Sequence, residues 1–275
     1  MNEIDTQQRE RTLEALRGGL RGRFAGAFCV LQSSVEALSR YLDANASAEI
    51  RAAAEPMLAG MTQQIAELER LSANAADLAL GSRGLLLDEP RPIELRSQLT
   101  ELCAGARQEL ALRGRADAVL LEDQNPFPTV WALGDEGLLA CIFANLLSNS
   151  LTAGQAVECR VTLYADGSFR YTDNAGGMDD ELAQNLLDGT AQPAETLGGE
   201  MGLSLVGGYL RALGWSSKLE PSDAGFGLHV HPRAADEPVP TGFSGPEGER
   251  RRVSAMLRAV LNRELNAVLG VVKKT

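Results

Sequence analysis

Three short segments combine amides, a carboxylate and glycines at spacings that suit chemistry. The first is Asn145-Leu-Leu-Ser-Asn149-Ser-Leu-Thr152-Ala153, in a helical pattern. Asparagines four apart share one helix face, and the leucines between them anchor the opposite one. Amide oxygens on one face can complete the shell of a magnesium ion that otherwise keeps waters and phosphate oxygens. The plain alternative is a helix with two polar residues at an exposed edge. The second segment, Tyr171-Thr-Asp173-Asn174-Ala175-Gly176-Gly177-Met178, closes a strand pattern. A carboxylate there can accept a hydrogen bond from the exocyclic amine of adenine, and glycines let backbone approach a flat ring. Taken alone it reads better as a strand-to-helix turn. The third, Gly198-Gly199-Glu200-Met201-Gly202-Leu203-Ser204-Leu205-Val206, is a loop running into a helix. Glycine-rich backbone at a helix start presents free N–H groups and the positive dipole end to phosphate. Any one of these is common; all three in this order, ahead of Gly225-Phe-Gly227, are far rarer by chance.

The elements that must position them follow from periodicity. Leu13, Leu16, Leu20, Phe24, Phe28, Leu31, Val35, Leu38 and Leu42 recur at threes and fours, predicting a helix over 8–43. Asp43-Ala44-Asn45-Ala46-Ser47 interrupts it, and a second stripe runs from Ile50 through Met57, Met61, Ile65, Leu68 and Leu71 to Leu78. Pro56 should kink this helix or mark its first turn. Two long helices joined by a short turn make an antiparallel hairpin. Its wide apolar stripe is best buried by a second copy in a four-helix bundle, the alternative being packing on the rest of the chain. Downstream, Pro90 and Pro92 mark a linker or edge strand, and helices are expected over 93–112, 135–153, 179–187 and 203–213. Strands are expected over 118–122, 157–164, 168–172, 217–220 and 227–231. Elements that interleave through hairpins, without regular βαβ units, predict an α+β two-layer sandwich.

This divides the chain into a helical hairpin (1–81), a sandwich (82–233), a linker (234–249) and a C-terminal amphipathic helix (250–275). That last helix could dock on the dimer or on another protein, or pack on the chain's own sandwich. With 275 residues, 44% apolar and 23% charged, the composition is that of an ordinary globular protein. A net charge of -11 argues against nucleic-acid or anionic-membrane binding. Met1 to Glu10 has no apolar signal core, and Leu138 to Leu147 is too short to span a bilayer. Cys29, Cys103, Cys141 and Cys159 are scattered and read as reduced thiols of a cytoplasmic protein. His229 and His231, the chain's only histidines, read as structural, one partly packed and one exposed.

With these motifs in place, the chain resembles the sensor histidine kinases of the GHKL ATPase superfamily, which includes gyrase and the mismatch-repair MutL proteins. Asn145 to Ala153 resembles the family's N box, Asp173 to Gly177 its first glycine box and Gly198 to Leu203 its second. Trp131-Ala-Leu-Gly134-Asp135 matches the Gly-Asp before the N-box helix, and Gly214-Trp215 and Gly225 to Pro232 match the closing strands, so the resemblance covers about residues 8–232. It implies that Asn149 is a magnesium ligand, that Asn145 helps order metal and phosphates, and that Asp173 reads adenine. It further implies that Gly177 and Gly202 pass close to the nucleotide, with ATP and Mg2+ as cofactors.

Departures from the pattern matter equally. Thr152 stands where the kinases usually carry a basic residue, Ala175 replaces a glycine beside the base, and Glu200 replaces a phosphate-loop glycine. Like charges about 4 Å apart repel by about 1 kcal/mol in water and several at lower dielectric, so Glu200 weakens ATP unless it turns outward or sits beside the metal. Gyrase-like members place a glutamate general base at the position of Asn145, and an amide cannot take that proton. Direct ATP hydrolysis is therefore disfavoured. In the hairpin, Leu20 to Phe28 aligns Gly22 with the phosphoacceptor histidine and Arg23 with the acid after it. A phosphoramidate needs an imidazole nitrogen, so autophosphorylation in the hairpin is excluded.

The leading expectation is a pseudokinase of two-component signalling: a cytoplasmic homodimer that binds ATP and acts through a partner such as a response-regulator receiver domain. An ATP-dependent serine kinase of the anti-sigma-factor type is the alternative, although that branch lacks the hairpin. A dimeric scaffold that has lost ATP is the third.

Overall fold

The computed structural model describes residues 3–81, 89–154, 156–190, 201–220, 225–236 and 246–270. Two long helices, α1 (Glu3–Asn45) and α2 (Ala48–Gly81), form the hairpin. Ser47 starts the second, its hydroxyl accepting from the Ile50 N–H at 3.4 Å. Helix α2 runs through Pro56, so the proline does not mark its first turn. A small core of Phe28, Val35 and Ile65, with Leu58 against it, holds the two helices together.

The remaining elements are β1 (Arg91–Glu94), α3 (Leu95–Leu112), β2 (Ala118–Asp123), β3 (Trp131–Gly134), α4 (Glu136–Ala153), β4 (Glu158–Leu163) and β5 (Phe169–Asp173). Then come α5 (Asp180–Asp188), α6 (Met201–Leu213), β6 (Ser216–Leu219), β7 (Gly227–His231), β8 (Arg233–Ala234) and α7 (Pro246–Leu269). The main sheet has the order β2-β4-β5-β7-β6. All its neighbours are antiparallel except β2 and β4, which pair in parallel. A second sheet, β1-β3-β8, is antiparallel and leaves β1 at an edge, where Pro92 needs no ladder donor. The fold is thus α+β with a mixed sheet. The parallel pair and the short strands β3 and β8 lie beyond the expected pattern, and β8 takes the first residue of the expected linker. Residue 93 opens no helix but sits in β1, with the Glu94 side chain capping α3 by accepting from the Ser97 N–H at 2.6 Å.

Strand alternation sends Val119, Cys159, Val161, Phe169, Tyr171, Leu228 and Val230 into one core under the helices. Arg160, Arg170, Lys218 and His229 occupy the alternate positions. The C-terminal helix does not stand apart. Helix α7 packs on α3, α4 and α2, with Leu257, Leu261 and Leu265 in the main core. Ser254 donates to Glu101 at 2.6 Å and Arg113 to Asn266 at 2.5 Å. Packing on the chain's own sandwich is therefore what this amphipathic face does.

One buried charge comes with it. Glu264 is fully buried, 3.2 Å from the Arg263 guanidinium and 3.9 Å from that of Arg70. Burial raises its carboxyl above the ordinary range, against the pull of the two arginines. The folded state then holds a proton that the unfolded chain has released, so this contribution to stability is present at low pH and lost as pH rises through the elevated value. Denaturant unfolding across pH is expected to show the wild type losing stability relative to Glu264→Gln from about pH 4 upward. Parallel curves for the two proteins would contradict that assignment.

Candidate nucleotide site

Helix α4 is started by Asp135, whose carboxylate accepts from the Leu138 N–H at 2.8 Å. Most of α4 is buried, which fixes its rotation and with it the direction of its two asparagines. Asn145 is 1% exposed. Its Nδ2 donates to the Cys141 carbonyl at 2.8 Å, while its Oδ1 is buried with no partner among the described residues. Asn149, one turn on, is half-buried. Both face the head of α6: a Cβ on Gly202 would lie 2.9 Å from Asn149 Oδ1 and 3.2 Å from Asn145 Oδ1. A side chain at residue 202 would therefore push into the two amide groups. Buried polar atoms are nearly always satisfied, so the unpaired Asn145 oxygen at this junction is informative.

Asp173 ends β5 and is 7% exposed. Its Oδ1 accepts from the Ala175 N–H at 2.9 Å and the Phe226 N–H at 3.1 Å. Its Oδ2 takes a short hydrogen bond from the Ser150 hydroxyl. Ser150 lies 2.8 Å from the Tyr171 hydroxyl, which in turn donates to the Cys159 thiol at 3.1 Å. Burial pushes the thiol up to about 11 and the phenol well above its usual value, so the chain leading to Asp173 is made of neutral groups. Cys103, pushed up to about 12 by burial, is equally inert. These supporting residues have no local sequence signature: Ser150 lies beside the asparagine stripe, and Tyr171 and Cys159 read as ordinary inward strand positions.

The turn after Asp173 explains its glycines. Gly176 and Gly177 have φ of 103° and 67°, the left-handed region that disfavours a Cβ. A Cβ on Gly177 would also lie 3.5 Å from the Gly225 backbone, so this turn packs against the start of β7. Ala175 is half-buried against the main core, its methyl 3.9 Å from where a Cβ on Gly154 would stand. The extra methyl is thus accommodated beside the end of α4. Thr152 turns its hydroxyl onto the Ser148 carbonyl at 2.7 Å and supplies no cation. Gly198, Gly199 and Glu200 lie outside the described residues.

The fold therefore brings Asn145, Asn149 and Gly202 together at one junction, while Asp173 and Gly177 both lie against Gly225 ahead of β7. Asn149 could offer an amide oxygen to a magnesium ion whose other ligands are phosphate oxygens and waters. That ion would supply charge neutralisation to the phosphates. Among the described residues, no three His, Cys, Asp or Glu side chains are grouped to hold a metal by themselves.

The two histidines sit elsewhere. His229 Nε2 is 2.8 Å from the Ser168 hydroxyl and its Nδ1 is 3.5 Å from Glu220. Ser168 is buried and donates its proton to Asp166 at 2.6 Å, so this serine pins the β4–β5 turn and is no nucleophile. His231 is exposed, its ring 4.3 Å from that of His229.

No family model and none of the curated proteins matches the chain. Among solved structures, full-length ShkA in complex with AMPPNP matches 82% of the chain at a TM-score of 0.54 and 21% identity. The chain spans about half of that protein, 47% of its length. The Acinetobacter baumannii histidine kinase AdeS matches over 76% of the chain and 96% of its own, at 11% identity and a TM-score of 0.47. The order of hairpin, mixed sheet and overlying helices is thus a histidine-kinase-type fold.

Proposed function

We propose that the chain is a cytoplasmic, histidine-kinase-like signalling protein that binds ATP with Mg2+ and acts through a partner without phosphorylating a histidine of its own hairpin. The observation that carries this is the junction of α4 and α6, where Asn145 Oδ1 is buried with no partner among the described residues, at a glycine that a methyl would crowd. A ligand that donates to that oxygen, directly or through metal-bound water, removes the cost of leaving it unpaired, about 1–3 kcal/mol. In this reading Asn149 supplies the metal ligand, Asn145 orders metal and phosphates, Asp173 accepts from the adenine amine, and Gly177 and Gly202 admit the nucleotide to the backbone. The similarity to a protein solved with AMPPNP supports the choice of nucleotide.

The hairpin supplies dimerisation in this proposal. Phe24, Val30, Leu31, Leu38 and Tyr41 on α1 and Ile50, Met57, Met61, Leu68 and Leu71 on α2 are exposed in the single chain, more apolar surface than the small core between the two helices covers. A second copy buries such a stripe as a four-helix bundle. Leu31→Asp together with Leu38→Asp is expected to convert a dimer to a monomer in size exclusion with light scattering. A wild-type monomer would remove the bundle. The partner is a receiver domain of the response-regulator type; nucleic acid and membrane are not partners. Among the described residues no helix is long and apolar enough to cross a membrane.

Both histidines of the chain lie at the end of the sandwich, and Gly22 occupies the phosphoacceptor position. Incubation with labelled ATP is therefore expected to leave no acid-labile label on the chain. Acid-stable label on a co-purified protein would instead establish the serine-kinase alternative and end the pseudokinase reading.

A further inference from the structure

The outer face of the main sheet carries the chain's two histidines, two residues apart on β7. Strand alternation puts both rings on one face, with centroids 4.3 Å apart. The hydrogen bonds around His229 fix which of its nitrogens holds the proton. The Ser168 hydroxyl gives its single proton to Asp166 at 2.6 Å. The His229 Nε2, 2.8 Å from that hydroxyl, is therefore the donor to it. In the neutral ring this leaves the lone pair on Nδ1, which lies 3.5 Å from Glu220 Oε2. A lone pair and a carboxylate oxygen then face each other with no hydrogen to share. Only a cation between them, a proton or a metal ion, makes that pairing attractive.

The spacing suits a metal. Zinc-type ions hold imidazole nitrogen and carboxylate oxygen in a tetrahedron at about 2.0–2.2 Å, which sets neighbouring ligand atoms about 3.4 Å apart. His229 and Glu220 already stand at nearly that separation. Glu220 is fixed there by its backbone, which donates to the Gly227 carbonyl at 3.0 Å and accepts from Arg170 at 2.8 Å. The bond from Nε2 to Ser168, backed by Asp166, is the kind of support that orients a metal-bound imidazole. His231 is exposed beside them and needs only a side-chain rotation to bring a third ligand. Two ligands thus stand in place and one turns in, so no group of three is preformed among the described residues. Arg170 Nε lies 3.7 Å from the same Oε2, and Lys218 lies 3.5 Å from Oε1. These cations oppose a metal ion and hold its affinity to a modest level.

We propose that His229 and Glu220, completed by His231 and water, form a binding site for a divalent transition ion of the zinc type on the outer face of the sheet. Imidazole ligands favour such an ion over magnesium, so this site and the proposed nucleotide site take different metals. The bound ion ties β7 to the residue that follows β6 and, through Ser168, to the β4–β5 turn.

Zinc titrated into the intact, untagged chain tests this, followed by calorimetry and by the NMR signals of the two imidazoles. One ion per chain is expected, with a Kd of about 10 µM, and both imidazole signals should shift together. Magnesium should move neither signal. Glu220→Gln and His231→Asn lie outside the core, and each is expected to weaken zinc by about tenfold or more. Imidazole signals unmoved by zinc, or a smaller loss of affinity in either variant, would overturn the site. Any remaining heat would then belong to thiols such as the exposed Cys29.

Discussion

Asp173→Ala is expected to lower ATP affinity about 100-fold or more and to destabilise the protein by about 2–3 kcal/mol. Two separate consequences follow from one side chain. The carboxylate accepts from Ser150, Ala175 and Phe226, so its removal leaves a buried hydroxyl and two backbone N–H groups without their acceptor. The same acceptor is the one proposed to meet the adenine amine. Ser150→Ala separates the effects: it removes one donor to Asp173 while leaving the two backbone bonds that hold Oδ1. It is expected to cost about 1 kcal/mol of stability and to weaken ATP by about tenfold at most. Calorimetric titration and urea unfolding of both variants supply the numbers. Unaltered affinity in Asp173→Ala would show that this carboxylate has only a structural part.

Gly225→Ala is expected to be nearly as damaging, although no side-chain contact is lost. The methyl would fall on the carbonyl oxygen of Asp173 and beside its Oδ1. Neither strand can yield easily. The Asp173 N–H donates to the Phe226 carbonyl at 3.0 Å, and β5 and β7 are paired from Phe169 to Thr172. Overpacking of this kind costs about 3 kcal/mol where backbone opposes it, or a melting midpoint lower by about 5 °C at this chain length. Nucleotide binding is expected to fall with it, since Asp173 must move. Gly208→Ala is the control: its Cβ would meet nothing within 4 Å, and in a helix alanine is favoured by about 1 kcal/mol. Equal melting of Gly225→Ala and wild type in differential scanning calorimetry would contradict the packing described.

The parts of the molecule legible in the sequence are those with a period or a glycine. The Leu and Phe stripes of α1 and α2, the Asn145–Asn149 spacing and the left-handed Gly176-Gly177 turn all leave local marks. Pairing between distant segments does not. The parallel register of β2 on β4 and the two-residue β8 depend on what the rest of the chain has already built. The Cys159–Tyr171–Ser150–Asp173 chain is invisible because each member alternates with core residues in the ordinary way. On α2 the polar stripe opposite the apolar one has the composition of solvated surface, although other helices cover it. For α7, an amphipathic face looks the same whether it covers the chain's own helices or those of a partner; Gly105, where a Cβ would meet Leu261 at 3.2 Å, shows how closely it has settled on α3.

The proposed function stands or falls on nucleotide binding at Asn145, Asn149 and Asp173. Titration of ATP into the intact protein, with magnesium and then with magnesium chelated, tests it most directly. A saturable heat with one site per chain, dependent on magnesium, and a rise in melting temperature at high ATP are the predicted results. An absence of both heat and thermal shift would contradict the account and leave the orphaned Asn145 oxygen without an explanation.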